Sequence, residues 1–170
     1  MDLGLFILRV LLGALLFGHS MQKLTGAFGG HGPAGTAPLF ESWGLVPGKT
    51  MVRCAGLSEL VAAVLLLLGL ATPLGAAVAV GTMTVAASVN VSKGLWAVGG
   101  GYELPLVYGG IAGVLGFTGA GSWSVDKALG WSGGSVVAGV VALAVGLAAA
   151  AVVIGYARRN KNRARELAAA

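Results

Sequence analysis

The amino-acid sequence predicts an all-α integral membrane protein, and three observations carry that expectation. Of 170 residues, 56% are hydrophobic and only 10% are charged, far more apolar than the mix that folds in water. The apolar residues fall into five runs, each near the roughly 17 to 25 residues a helix needs to cross a bilayer. All four tryptophans, Trp43, Trp96, Trp123 and Trp131, stand outside those runs, where interfacial aromatic belts form.

The first run extends from Leu3 to Phe17, reaching toward His19. It opens on Asp2 rather than Lys or Arg, carries Arg9 in its core and lacks a clean small-residue cleavage site, so it reads as a retained helix and not a signal peptide. A loop over about residues 25–50 follows. Its GGHGPAG stretch satisfies GxGxxG through Gly30, Gly32 and Gly35, but no strand precedes it and Pro33 interrupts it, which sets a dinucleotide fingerprint aside. Further along, Leu39, Phe40, Trp43, Leu45 and Val46 predict a segment that lies on the membrane surface or folds back against the bundle, with Glu41 toward the headgroups.

The second and third spans, Met51 to Leu70 and Thr72 to Val91, are joined by GLATPLG. Pro73 falls in the first turn of the third span, where its missing donor costs little, so the link is a tight helical hairpin. The fourth span is Leu104 to Thr118 and the fifth Ser135 to Tyr156. Ala138, Ala142, Gly146 and Ala150 recur every four positions on the fifth, as Gly109 and Gly113 do on the fourth. Such spacing lets backbones approach closely, toward either an internal neighbour or another subunit.

The net charge of +5 does not indicate nucleic acid, because the basic residues are not interleaved with stacking aromatics. Five of the eleven sit in ARRNKNRARELAAA after the last run, a cluster that fixes topology and meets anionic lipid headgroups. With five spans this places the C-terminus in the cytoplasm, with Lys23, Lys49, Arg53 and Lys93 inside and Lys127 outside. The single cysteine, Cys54, can form neither an internal disulfide nor a CxxC pair and is expected to be a small buried residue. His19, His31, Cys54 and the carboxylates are scattered, so no metal-site spacing exists.

The stretch LRVLLGALLFGHSMQKL places charge within a span. At 100° per residue Arg9, Gly13, Leu16, Ser20 and Lys23 share one narrow face, with His19 about 80° away. An arginine at that depth must face protein and find an acceptor, and Glu59 is the expected partner. At 1.5 Å per residue the two lie roughly 8 Å apart along the axis of an antiparallel pair. Two readings stand beside each other. In the first, a buried ion pair locks two helices together. In the second, the pair with His19, Lys23 and Asn90 lines a polar pocket for a quinone-like headgroup or a proton path. His19, Lys23 and Glu103, nearer the interface, are expected to be more expendable for folding than Arg9 and Glu59.

Three blocks in order, LRVLLGALLFGHSMQKL, GLSELVAAVLLLLGLATPLGA and GGGYELPLVYGGIAGVLGFTGAGSWSVDKALG, resemble the successive signatures of the DoxX family of small membrane proteins. The resemblance covers about residues 3–131. It implies a four-helix transmembrane unit over 1–131, with an additional transmembrane helix over 132–156 and a basic tail over 157–170 beyond it. Residues characteristic of that family correspond to Arg9, His19, Lys23, Glu59, Glu103 and a GxGxxSxD turn of Gly119, Gly121, Ser124 and Asp126. Ser20 stands where the family often has glycine, and Ala120 where proline is frequent.

The resemblance also implies a membrane component of redox systems, linked to sulfur metabolism or oxidative-stress defence. The chain has no haem pair, no flavin fingerprint in context and no cysteine couple, so a redox role requires a bound quinone or an oxidoreductase partner subunit. Three functions follow as expectations: a quinone-interacting subunit of an oxidoreductase assembly, a scaffold that recruits partners or forms homo-oligomers, and a channel for protons or small molecules.

Overall fold

A helix that crosses lipid satisfies every main-chain polar group within itself, and the chain follows that rule. The computed structural model describes residues 2–131 and 134–169, and regular structure among them is helical. The α-helices are α1 (Asp2–Leu24), α2 (Gly32–Ser42), α3 (Gly48–Leu68), α4 (Thr72–Asn90), α5 (Glu103–Thr118), α6 (Val125–Ala128) and α7 (Val136–Ala169). Helices α1, α3 and α7, and α4 with its trailing 3₁₀ turn, are long and apolar enough to cross a membrane. Helix α5 is apolar but has 16 residues, about 24 Å at 1.5 Å each, against a hydrocarbon core of about 30 Å.

Two helices exceed their apolar runs. Helix α1 continues through His19 and Lys23 to Leu24, because polar side chains near an interface can be paired or hydrated without interrupting the helix. Helix α7 runs for 34 residues, about 51 Å, so the basic tail is helix and not a loose end. Its Ala, Arg, Lys, Glu and Leu residues are strong helix formers.

The α3–α4 hairpin is as tight as expected. Gly69 adopts the left-handed region (φ 60°, ψ 44°). Gly69 N donates to Leu66 O and Leu70 N to Leu65 O, the paired bonds of a glycine C-cap. Helix α1 packs on α3, while α4 packs against α3, α5 and α7. Close approach depends on absent side chains. A Cβ on Gly146 would stand 2.5 Å from Ala77 O, and one on Gly81 would stand 3.0 Å from Gly146 O. The small-residue stripe thus serves an internal neighbour, with Ala142, Gly146 and Ala150 buried and Ala138 half-buried. Gly109 and Gly113 do likewise, facing Met83 and Leu143. Leu12, Leu16, Ala62, Ala63, Leu66 and Leu115 fill the space between α1, α3 and α5.

Of the two expectations for the loop, folding back is the one realised. Phe40 and Leu45 are buried with Val52 of α3 and Ala157 of α7. Glu41 is exposed, but its Oε1 accepts from Gly48 N at 3.0 Å, supplying an acceptor at the α3 N-terminus. Tyr156 Oη donates to Val46 O, and Asn160 Nδ2 to Gly44 O at 2.9 Å. These bonds tie the basic end of α7 to the turn that precedes Lys49 and Arg53.

Candidate functional site

Arg9 is 1% exposed, and its partner is not Glu59. The guanidinium donates to Leu66 O at 3.0 Å, Leu67 O at 2.6 Å, Ala120 O at 3.3 Å and Trp123 O. It therefore joins α1 to the last turn of α3, where the terminal carbonyls and the negative end of the helix dipole receive a cation, and to the turn after α5. Phe6 lies 5.1 Å from the guanidinium carbon and edge-on to Trp123.

The GxGxxSxD turn completes this end. Gly119 and Gly121 have φ of 74° and 77°, a region that disfavours any side chain. Ser124 Oγ accepts from Lys127 N at 3.2 Å, capping α6, and donates to Gly121 O at 2.6 Å. Asp126, 2% exposed, accepts from Ala71 N (2.6 Å), Thr72 N (3.0 Å) and Thr72 Oγ1 (2.8 Å). Its own amide donates to Gly69 O at 2.9 Å. Arg9 and this motif form one structural clasp across the α3–α4 hairpin.

Glu59, 3% exposed, pairs with Lys23 instead: Lys23 Nζ lies 2.8 Å from each carboxylate oxygen. The expected Arg9–Glu59 pairing fails on side-chain direction. Each Cα–Cβ bond tilts toward its own helix N-terminus, so in the antiparallel pair Arg9 leans toward the α3 C-terminus and Glu59 leans the opposite way. Lys23 leans back toward Glu59 and meets it. Lys23, itself half-buried, thus becomes the partner of a buried carboxylate. One turn before it, Ser20 is 0% exposed, and among the described residues its Oγ is the buried side-chain polar atom without a hydrogen-bond partner.

The ion pair borders a cavity of about 640 Å³ between the halves of α3 and α4 remote from their hairpin, with α2 beneath and α7 alongside. Lys23, Glu59 and Asn90 line it, as expected of a shared pocket. They are its charged side chains and the amide at the end of α4; most of the remaining wall is apolar, including Phe40, Trp43, Val78, Val85 and Val153. Three expected members lie elsewhere. Arg9 is in the clasp. His19 is half-buried with its ring 5.8 Å from that of Tyr108. Glu103 accepts from Ala97 N at 2.8 Å and shapes the α4–α5 connection. Cys54, expected to be buried, is exposed and lines the cavity.

Gln22, Ser58 and Thr82 also line the cavity and escaped sequence reasoning. The hydroxyls of Ser58 and Thr82 bond carbonyls one turn back, Cys54 O and Val78 O, as any hydroxyl in a transmembrane helix can, so nothing in their spacing marks them. Among the described residues no group of three or more His, Cys, Asp or Glu side chains could hold a metal.

Apolar helices of this length around a buried charged pair define a multi-pass helical membrane protein. The DoxX family model matches residues 4–92, which span α1 through α4. The chain belongs to the DoxX family. No curated protein and no solved structure matches it.

Proposed function

We propose that the protein is a DoxX membrane subunit of a redox-linked assembly and that the cavity beside Lys23–Glu59 receives the headgroup of a quinone. The observation that carries this reading is the composition of the wall: a largely apolar space of about 640 Å³ whose hydrogen-bonding groups include Lys23, Glu59 and Asn90. Such a space suits a ligand with a polar ring and an apolar body. The quinone would supply the electron-accepting chemistry, and a partner subunit the electrons. The protein's own residues would bind and orient the ring.

The same reading has five membrane-crossing segments, a four-helix unit followed by α7, with the C-terminus in the cytoplasm of a cell membrane. Support comes from the ties between the basic end of α7 and the Gly44–Val46 turn, which gather positive charge at one end of the bundle.

Native mass spectrometry of protein taken from its membrane in mild detergent tests the proposal. Wild-type protein is expected to retain quinone, and Asn90→Ala to retain less at an unchanged melting temperature. Absence of quinone from the wild type, together with no binding in a titration of reconstituted protein, would refute it.

A second reading, a scaffold that recruits partners, is favoured by the continuous α7 helix, which carries Arg158, Arg159, Lys161, Arg163 and Arg165 past the apolar segment on a rigid support. Copurification of a protein lost on truncation after Tyr156, with quinone binding absent, would select it. The channel reading lacks comparable support, because Leu12, Leu16, Leu66 and Leu115 fill the bundle on the clasp side of the cavity.

A further inference from the structure

We infer that the cavity is loaded sideways from the bilayer through a mouth between α3 and α7, and that its occupant is an uncharged, oxygen-bearing headgroup on an apolar chain. This rests on reading the cavity as an amphiphile site and adds the route of entry and the charge of the ligand.

The two sides of the cavity differ. Lys23 of α1 and its partner Glu59 line one part of the cavity, whereas α7 contributes Ala149, Ala150 and Val153. Helix α7 packs on α4 and α5 and approaches α3 through the apolar cluster of Phe40, Leu45, Val52 and Ala157 at its basic end. A side chain that both lines a cavity and is exposed on the bundle marks an opening, and Cys54 and Ala149 do both. Cys54 is six residues into α3 and Ala149 seven before Tyr156, each about 9 to 10 Å along its helix. That depth lies at the boundary between headgroups and acyl chains, beside the exposed Arg53. By the same criterion Gly29, His31 and Leu39 mark a second opening, beside α2.

Small side chains at the α7 side leave room for a chain to pass into the lipid, while the headgroup sits against the polar side. The charge of that headgroup follows from the ion pair. Lys23 spends its charge on both oxygens of Glu59, so the wall offers no unmatched cation to a phosphate. An ionic headgroup there would add an unpaired charge inside the membrane. Neutral carbonyl or hydroxyl oxygens can bond the lysine and amide donors without breaking the pair.

Cys54 is the single cysteine of the chain and reports on the mouth without engineering. Full-length protein in nanodiscs is labelled with pyrene maleimide in the presence of decylubiquinone, of monoolein, or of the chainless ubiquinone-0. Chain-bearing probes are expected to slow labelling and the chainless ring not to. Ala149→Trp, on an exposed site, is expected to weaken decylubiquinone binding about tenfold, the loss of contact for a few methylenes. It should spare ubiquinone-0, and Ala148→Trp, exposed on the same helix outside the cavity, should change neither. If monoolein protects Cys54 and decylubiquinone does not, the side entrance stands and the quinone reading falls. If decylubiquinone binds but leaves labelling unaltered and tolerates Ala149→Trp, the quinone reading stands and the side entrance is overturned. Failure of both amphiphiles to slow labelling also overturns it.

Discussion

Lys23 Nζ lies 2.8 Å from both carboxylate oxygens of Glu59, and their side chains are unequally buried, 23% and 4% exposed. This asymmetry sets the outcome of breaking the pair. Lys23→Met strands a carboxyl in the bundle, at a cost of about 3 kcal/mol. Glu59→Gln leaves a lysine that can snorkel toward water, costing about 1 kcal/mol. The double variant should resemble Glu59→Gln alone, giving a coupling of about 3 kcal/mol. Melting in detergent measures the cycle, and additive effects would contradict the pairing.

Arg9 acts independently of that pair. Arg9→Leu removes the donor shared by the Leu66, Leu67, Ala120 and Trp123 carbonyls and should destabilise by about 3 kcal/mol. Arg9→Lys should recover only part of the loss, since an ammonium lacks the planar fork. Combined with Glu59→Gln, Arg9→Leu should add within about 0.5 kcal/mol, because the two residues share no partner. A strong coupling between them would contradict the separate roles.

Asp126 holds the start of α4 through Ala71 N, Thr72 N and Thr72 Oγ1. Asp126→Ala is expected to cost about 2 kcal/mol, as loss of an N-terminal cap with buried donors does, and Asp126→Asn less. Hydrogen exchange followed by mass spectrometry should accelerate over residues 69–73 in Asp126→Ala. Unchanged protection there would remove the clasp from the stability of the hairpin.

Orientation is read by labelling from outside intact cells in a Cys54→Ala background. A cysteine at position 2 should react with an impermeant reagent, and one at position 165 only after permeabilisation. The opposite pattern would invert the topology and with it the cytoplasmic side of the cavity.

The sequence by itself determined where the chain can cross lipid and which face of α1 is buried, but neither α2, which forms inside the expected loop, nor the full length of α7. Apolar run length sets where a chain can cross lipid, so α3, α4 and α5 start and end within a few residues of their runs, and the Arg9, Gly13, Leu16, Ser20 face of α1 is buried because side-chain angle is fixed by helical period. Pro73 likewise made the hairpin legible. Partner choice was decided by tertiary structure. Whether Glu59 meets Arg9 or Lys23 depends on the axial register of two antiparallel helices and the opposite lean of their side chains, quantities that composition and spacing do not contain. The cavity arises in the same way, from the relative positions of α2, α3, α4 and α7. Cys54, Ala149 and Trp43 are ordinary membrane residues along the chain and acquire a common surface only when those helices are placed together.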